Sequence, residues 1–77
     1  MVPIIPLGNL SLDLISAASL NVFCVDVPTK SGIVRFECEQ EPGDHWKAYA
    51  DRRPPIVESS LFSLVNALYR RSTLKRL

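Results

Sequence analysis

The stretch "LNVFCVDVPTKSGIVRFECEQ", residues 20–40, holds two runs of β-branched and aromatic residues around a PTKSG separator. Such runs on either side of turn formers predict a hairpin, with strands over 20–28 and 32–40. In the second run Val34, Phe36 and Cys38 share one face while Arg35, Glu37 and Glu39 share the other. That alternation belongs to a sheet with one wet face. In the first run Phe23, Val25 and Val27 are the matching apolar set. Bringing both sets onto one face requires Val25 opposite Phe36, and hence Asp26 opposite Arg35.

The next run, "HWKAYAD" (45–51), follows an EPGD turn and directs Trp46, Ala48 and Ala50 inward. Ala48 opposite Cys38 then sets Lys47 opposite Glu39 and Asp51 opposite Arg35. Three opposite-charge pairs arise from one register choice per hairpin, which predicts a three-stranded antiparallel meander.

The chain closes on "PIVESSLFSLVNALYRRSTLKRL", 55–77, a long amphipathic run. Leu61, Leu64, Val65 and Leu68 recur at helical spacing, and Pro54 and Pro55 precede the run. Ser59 or Ser60 can cap the first turn. Phe62 and Tyr69 widen the apolar stripe on one flank, so another element should lie beside them. "NLSLDLISAASL" (9–20) is the candidate. With period two, Leu10, Leu12 and Leu14 line a strand. With period 3.6, Leu10, Leu14, Ala17 and Ala18 line a helix capped by Asn9 or Ser11. The Ala-Ala pair favours the helix.

The expected fold is therefore a small α+β single domain over 1–77, a meander with a C-terminal helix on one face and a short N-terminal helix. Its order is α-β-β-β-α, with ββββα as the alternative. The first order resembles the double-stranded-RNA-binding domain and its relatives, which include some antitoxin domains. That family reads RNA with a Lys-rich start to its last helix after a Gly-containing turn. Here "RRPPIVESS" occupies that place, with Arg52 and Arg53 but neither the Gly nor the Lys cluster.

Seventy-seven residues, 47% hydrophobic and 22% charged, describe one globular domain. A chain this small is marginally stable and often gains from a partner or a second copy. The net charge of +1 hides a division. Residues 1–51 carry three positive and seven negative charges, and 52–77 carry six positive and one negative. No run reaches the roughly 18 apolar residues that span a bilayer. "MVPIIPLG" (1–8) has no basic leader and is interrupted by Pro3 and Pro6, so it is read as an extended arm and not a signal peptide. The expected location is a reducing cytoplasm, with Cys24 and Cys38 as free thiols.

The residues offer little chemistry. His45, the single histidine, follows a turn where a solvated side chain is ordinary. A general base would need a positioned nucleophile, but Cys38 should face the core and Cys24 has no imidazole beside it. Two cysteines fourteen residues apart and one histidine do not make a zinc pattern. Three scattered glycines make no phosphate loop. No enzyme, cofactor, metal or small-molecule substrate is expected.

What remains is binding. Arg70, Arg71, Lys75 and Arg76, in a helix end and a basic tail over 72–77, suit the negative end of a helix dipole. They also suit an acidic protein surface or a phosphate backbone. Arg52 and Arg53 precede the helix and would sit about 25 Å away along it. Ile4 and Ile5 of the arm cover the domain's own core or pack on another chain, and Phe62 and Tyr69 are the further contact candidates. The expected function is a non-enzymatic interaction module, a regulator or inhibitor that binds a larger protein or its own copy. Small chains of this kind are often encoded by phages or other mobile elements. The alternative is a nucleic-acid-binding module using the basic helix end.

Overall fold

Residues 2–10 and 21–75, which the computed structural model describes, build a five-stranded mixed sheet with one α-helix on its apolar face. The strands lie in chain order: β1 (Ile4–Pro6), β2 (Val22–Thr29), β3 (Gly32–Glu41), β4 (His45–Tyr49) and β5 (Ile56–Glu58). The helix, α1, spans Leu61–Arg71. β1 runs parallel to β2, and every other neighbouring pair is antiparallel.

The central register follows from side-chain parity. Val25 pairs with Phe36, Asp26 with Arg35, Cys38 with Ala48 and Glu39 with Lys47. Phe23, Val25 and Val27 alternate buried along β2, as do Phe36 and Cys38 along β3 and Trp46 and Ala48 along β4. The Phe23 and Trp46 rings meet at 5.5 Å and 56°, a tilted aromatic pair. Two-residue and three-residue loops join the hairpins. Gly32 at φ 108° and Gly43 at φ 85° take the left-handed conformations that these turns need.

The charge pairs are only partly as expected. Arg35 and Asp26 form an ion pair. Lys47 lies opposite Glu39 but its ammonium pairs with Glu41, the next side chain along the same face. Asp51 does not reach Arg35. β4 ends at Tyr49, and Asp51 turns away from the sheet with φ 52°.

Both edges differ from the expected three-stranded sheet. The arm is a strand: Ile4 pairs with Cys24 and Ile5 with Val25, and the Pro3 carbonyl accepts from the Cys24 N–H at 2.8 Å. Pro6 lacks an N–H, which an edge strand tolerates. Residues 7–21 are long enough for the crossover that parallel neighbours require. At the other edge, "IVE" leaves the C-terminal run and pairs with β4, because Pro54 and Pro55 hold the chain extended before it. The helix thus starts at Leu61, and α-β-β-β-α is not the order of the described residues.

The helix expected over 9–20 lies mostly outside the described residues. Within them, Leu7–Asn9 is a single 3-10 turn and Leu10 is extended (φ −69°, ψ 127°), so no helix begins at Asn9.

Helix α1 is set by its cap and its stripe. Ser60 is extended and its Oγ accepts from the Ser63 N–H at 3.0 Å. Leu64, Val65 and Leu68 are buried in the core cluster with the sheet and Ala67 is buried as well, while Leu61 is only partly buried. Leu7 completes the core, fully buried, and its carbonyl accepts from the Tyr69 hydroxyl at 3.1 Å. Leu7 thus lies beside Tyr69, on the flank expected to need a neighbour. Phe62, on the same flank in sequence, is 64% exposed.

Candidate functional site

Helix length decides where the sheet stays open. Eleven residues of α1 cover about 16 Å, whereas the ten residues of β3 extend over about 34 Å. Among the described residues, the apolar face therefore continues beyond the C-terminal end of α1 with no helix above it. A groove of about 780 Å³ lies there. Its floor is Val34, Phe36, Ala50 and Ile56, continuous with the core. One wall is the β2–β3 turn (Thr29, Lys30, Ser31) with Ser72 and Thr73, and the other is Asp51, Arg53 and Pro54.

Local hydrogen bonds hold the first wall. Thr29 Oγ1 donates to the Gly32 carbonyl at 2.7 Å and accepts from the Ser31 N–H at 3.2 Å. After the helix, Ser72 donates to the Tyr69 carbonyl from its N–H at 3.0 Å and from Oγ at 2.8 Å. The Thr73 N–H then donates to the Pro28 carbonyl at 2.8 Å, tying the tail to the end of β2.

Arg53, Arg70 and Arg71 all line this groove, joined by Lys30. The separation of about 25 Å expected for Arg53 assumed one continuous helix from its position. Instead β5 runs out along β4 and α1 returns across the sheet, so Arg53 and the two helix-end arginines line one groove. Among the described residues, Asp51 is the single carboxylate of the lining. Lys30, Arg53, Arg70 and Arg71 with Asp51, on an apolar floor, make a concavity suited to anionic ligands with apolar parts.

The helix-dipole reading keeps a share of Arg71, whose Nη1 donates to the Ala67 carbonyl at 2.9 Å in the last turn. Arg70 makes no such bond among the described residues.

The other sequence candidates scatter. Ile5 packs on the chain's own core, and Tyr69 is partly buried there too. Ile4, 51% exposed, stands on the outer sheet face, away from the groove. Arg52 is exposed beside Arg53, and Lys75 is exposed beyond the helix. Arg76 lies outside the described residues. Lys30 was missed because a turn lysine carries no signal until the fold sets it beside the helix end.

The outer face is acidic and paired. Cys24, Glu37 and Tyr49 form one cross-strand row on it, and Asp26 with Arg35 and Glu39 with Lys47 flank that row. Burial raises the Tyr49 hydroxyl above its ordinary value, helped by a hydrogen bond with Glu39. Burial pushes the Cys38 thiol up to about 12. Among the described residues, no three His, Cys, Asp or Glu side chains gather as a metal site, and no helix is long and apolar enough to cross a membrane. Comparison with protein-family models, curated proteins and solved structures finds no match to this chain.

Proposed function

We propose that this chain is a non-catalytic interaction module that binds an acidic surface of a protein partner through the groove at the end of α1. The observation that carries the reading is the convergence of Lys30, Arg53, Arg70 and Arg71 around an apolar floor. Chemistry other than binding has little support. His45 is exposed at the start of β4, and Cys24 sits among Glu37 and Tyr49.

A protein partner is favoured over a nucleic acid for two reasons. A sugar-phosphate backbone gains nothing from an apolar floor, and the one aromatic ring of the lining among the described residues, Phe36, is only 7% exposed and offers no stacking platform. A partner in the groove is favoured over edge pairing with a second copy. β1 and β5 are three residues each, and prolines interrupt or precede them, the usual protection of a sheet edge.

The test measures binding of fluorescent polyglutamate, random single-stranded RNA and random duplex DNA at physiological ionic strength. Polyglutamate should bind, weaken with salt, and be lost when Arg53, Arg70 and Arg71 are reversed to Glu. Submicromolar binding to either nucleic acid would install the second reading if the reversals abolish it. With four cations its log affinity should fall against log salt with a slope no steeper than about −3.6. Failure of polyglutamate to bind would overturn the acidic-surface proposal.

A further inference from the structure

Resting on that reading, we infer that the groove takes an extended partner segment carrying one large apolar side chain between carboxylates. The cations explain only the rim. Acidic surfaces could be held on a flat basic patch, but these cations stand around a concavity whose base is apolar. Val34 and Ile56 are only partly buried, although they pack against the core cluster. They are apolar surface that α1 stops short of covering.

A side chain that filled this space would remove Val34 and Ile56 from water as well as itself, and that burial is the gain an acidic residue alone cannot deliver. The rim then fixes what flanks the anchor. Arg53 stands on one wall, with Arg70 and Arg71 at the helix end, so carboxylates on both sides of the anchor find a guanidinium. Asp51 beside Arg53 makes that wall the less cationic of the two, so the helix-end side takes the heavier negative charge.

The volume fits this occupant. About 780 Å³ lies within the roughly 300–1,000 Å³ of pockets that enclose ligands of a few residues' bulk. A polyanion without an anchor would leave the floor hydrated.

Three synthetic peptides and one variant test the inference. The first peptide has a phenylalanine between two pairs of aspartates, the second replaces the phenylalanine by glycine, and the third keeps it between lysines. Fluorescence anisotropy should show the first binding at least about tenfold tighter than the second, and the third not binding. Val34→Thr keeps the shape of the floor but adds a hydroxyl, so it should shrink the ratio of the first two affinities and leave the glycine peptide unchanged. Equal binding of the two acidic peptides would overturn the anchor and leave the acidic-surface proposal standing. Binding by neither acidic peptide would overturn both, and binding by the lysine-flanked peptide would show that the rim does not select charge.

Discussion

Arg35 grips Asp26 with both ends of its guanidinium, Nε donating to Oδ1 at 2.7 Å and Nη2 to Oδ2 at 3.1 Å across the β2–β3 ladder. The two-point pair is the form in which arginine and carboxylate fit best. It stands on the wet face, directly behind the Val25–Phe36 pair that leads into the core side. Its contribution is modest because both side chains meet solvent.

The pair predicts an acid-dependent stability. Hydrogen bonding to Arg35 holds the Asp26 carboxyl below its ordinary value of 3.8. A carboxyl lowered in the folded state stabilises above the unfolded value, and the effect is lost as pH falls through the folded one. Asp26→Asn should therefore melt below wild type at neutral pH, and the gap should close as pH drops below 3.8. Thermal melts of both proteins across that range check it. A gap that stays constant into strong acid would mean that the charge on Asp26 contributes nothing.

The thiols should react in two classes. Cys24 and Cys38 are both free, on opposite sheet faces, and only Cys38 is fully enclosed. Alkylation needs the thiolate, which burial denies Cys38 by pushing its pKa to about 12. Iodoacetamide at mildly alkaline pH should add one adduct to the native protein, at Cys24, and two in denaturant. Mass spectrometry reads both. A native Cys24–Cys38 disulfide would contradict the register.

The two long strands β2 and β3 were legible because side-chain parity holds along their eight and ten residues and the Asp26–Arg35 charge pair agrees with it. The flanking strands were not. β1 and β5 have three residues each, too few for alternation to register, and the prolines beside them read as breaks. Ile56 and Val57, between Pro55 and the Ser59 or Ser60 cap, were given no element of their own, yet Val57 pairs with Lys47 on the sheet. That omission also hid the groove. Arg53 and Arg70 look remote along a continuous helix and line one groove only when the chain doubles back through β5. Lys30 depends on the same fold-back.

Helix docking carries much of the stability. Leu64 is fully buried between α1 and the sheet, so Leu64→Ala should cost about 2–5 kcal/mol, a large share of what so small a domain possesses. Ser60→Ala, which deletes the cap on the Ser63 N–H, should cost about 0.5–2 kcal/mol. Phe62→Ala, on the exposed side, should stay within about 0.5 kcal/mol. Urea melts of the three variants test that order. A Leu64→Ala protein as stable as Phe62→Ala would mean that α1 does not dock as described.

Asp51 sets a further test inside the groove. It holds φ 52°, a conformation costly for most side chains but tolerated by Asp and Asn. Asp51→Asn should preserve the turn and the melting temperature while removing a carboxylate from the lining. Affinity for polyglutamate should rise by roughly two- to fivefold at low salt, and the gain should fade as salt is added. An unchanged affinity at low salt would place the acidic ligand away from this wall.

Arg70 and Arg71 separate the two uses of a basic helix end. Both line the groove, but Arg71 also donates from its guanidinium to the Ala67 carbonyl, a charge-assisted bond within the last turn. Arg71→Gln should weaken acidic-ligand binding and also lower stability by about 0.3–1 kcal/mol, the scale of a cation at a helix C-terminus. In a domain this size that is a fall of a few degrees in Tm. Arg70→Gln should weaken binding with a smaller change in Tm, because it gives up no such bond. Arg53→Gln should behave like Arg70→Gln, although it belongs to a different element. Loss of Tm without loss of binding in all three would assign the basic end to the helix alone. Loss of binding in all three, with Tm lowered most in Arg71→Gln, is the outcome that a shared groove requires.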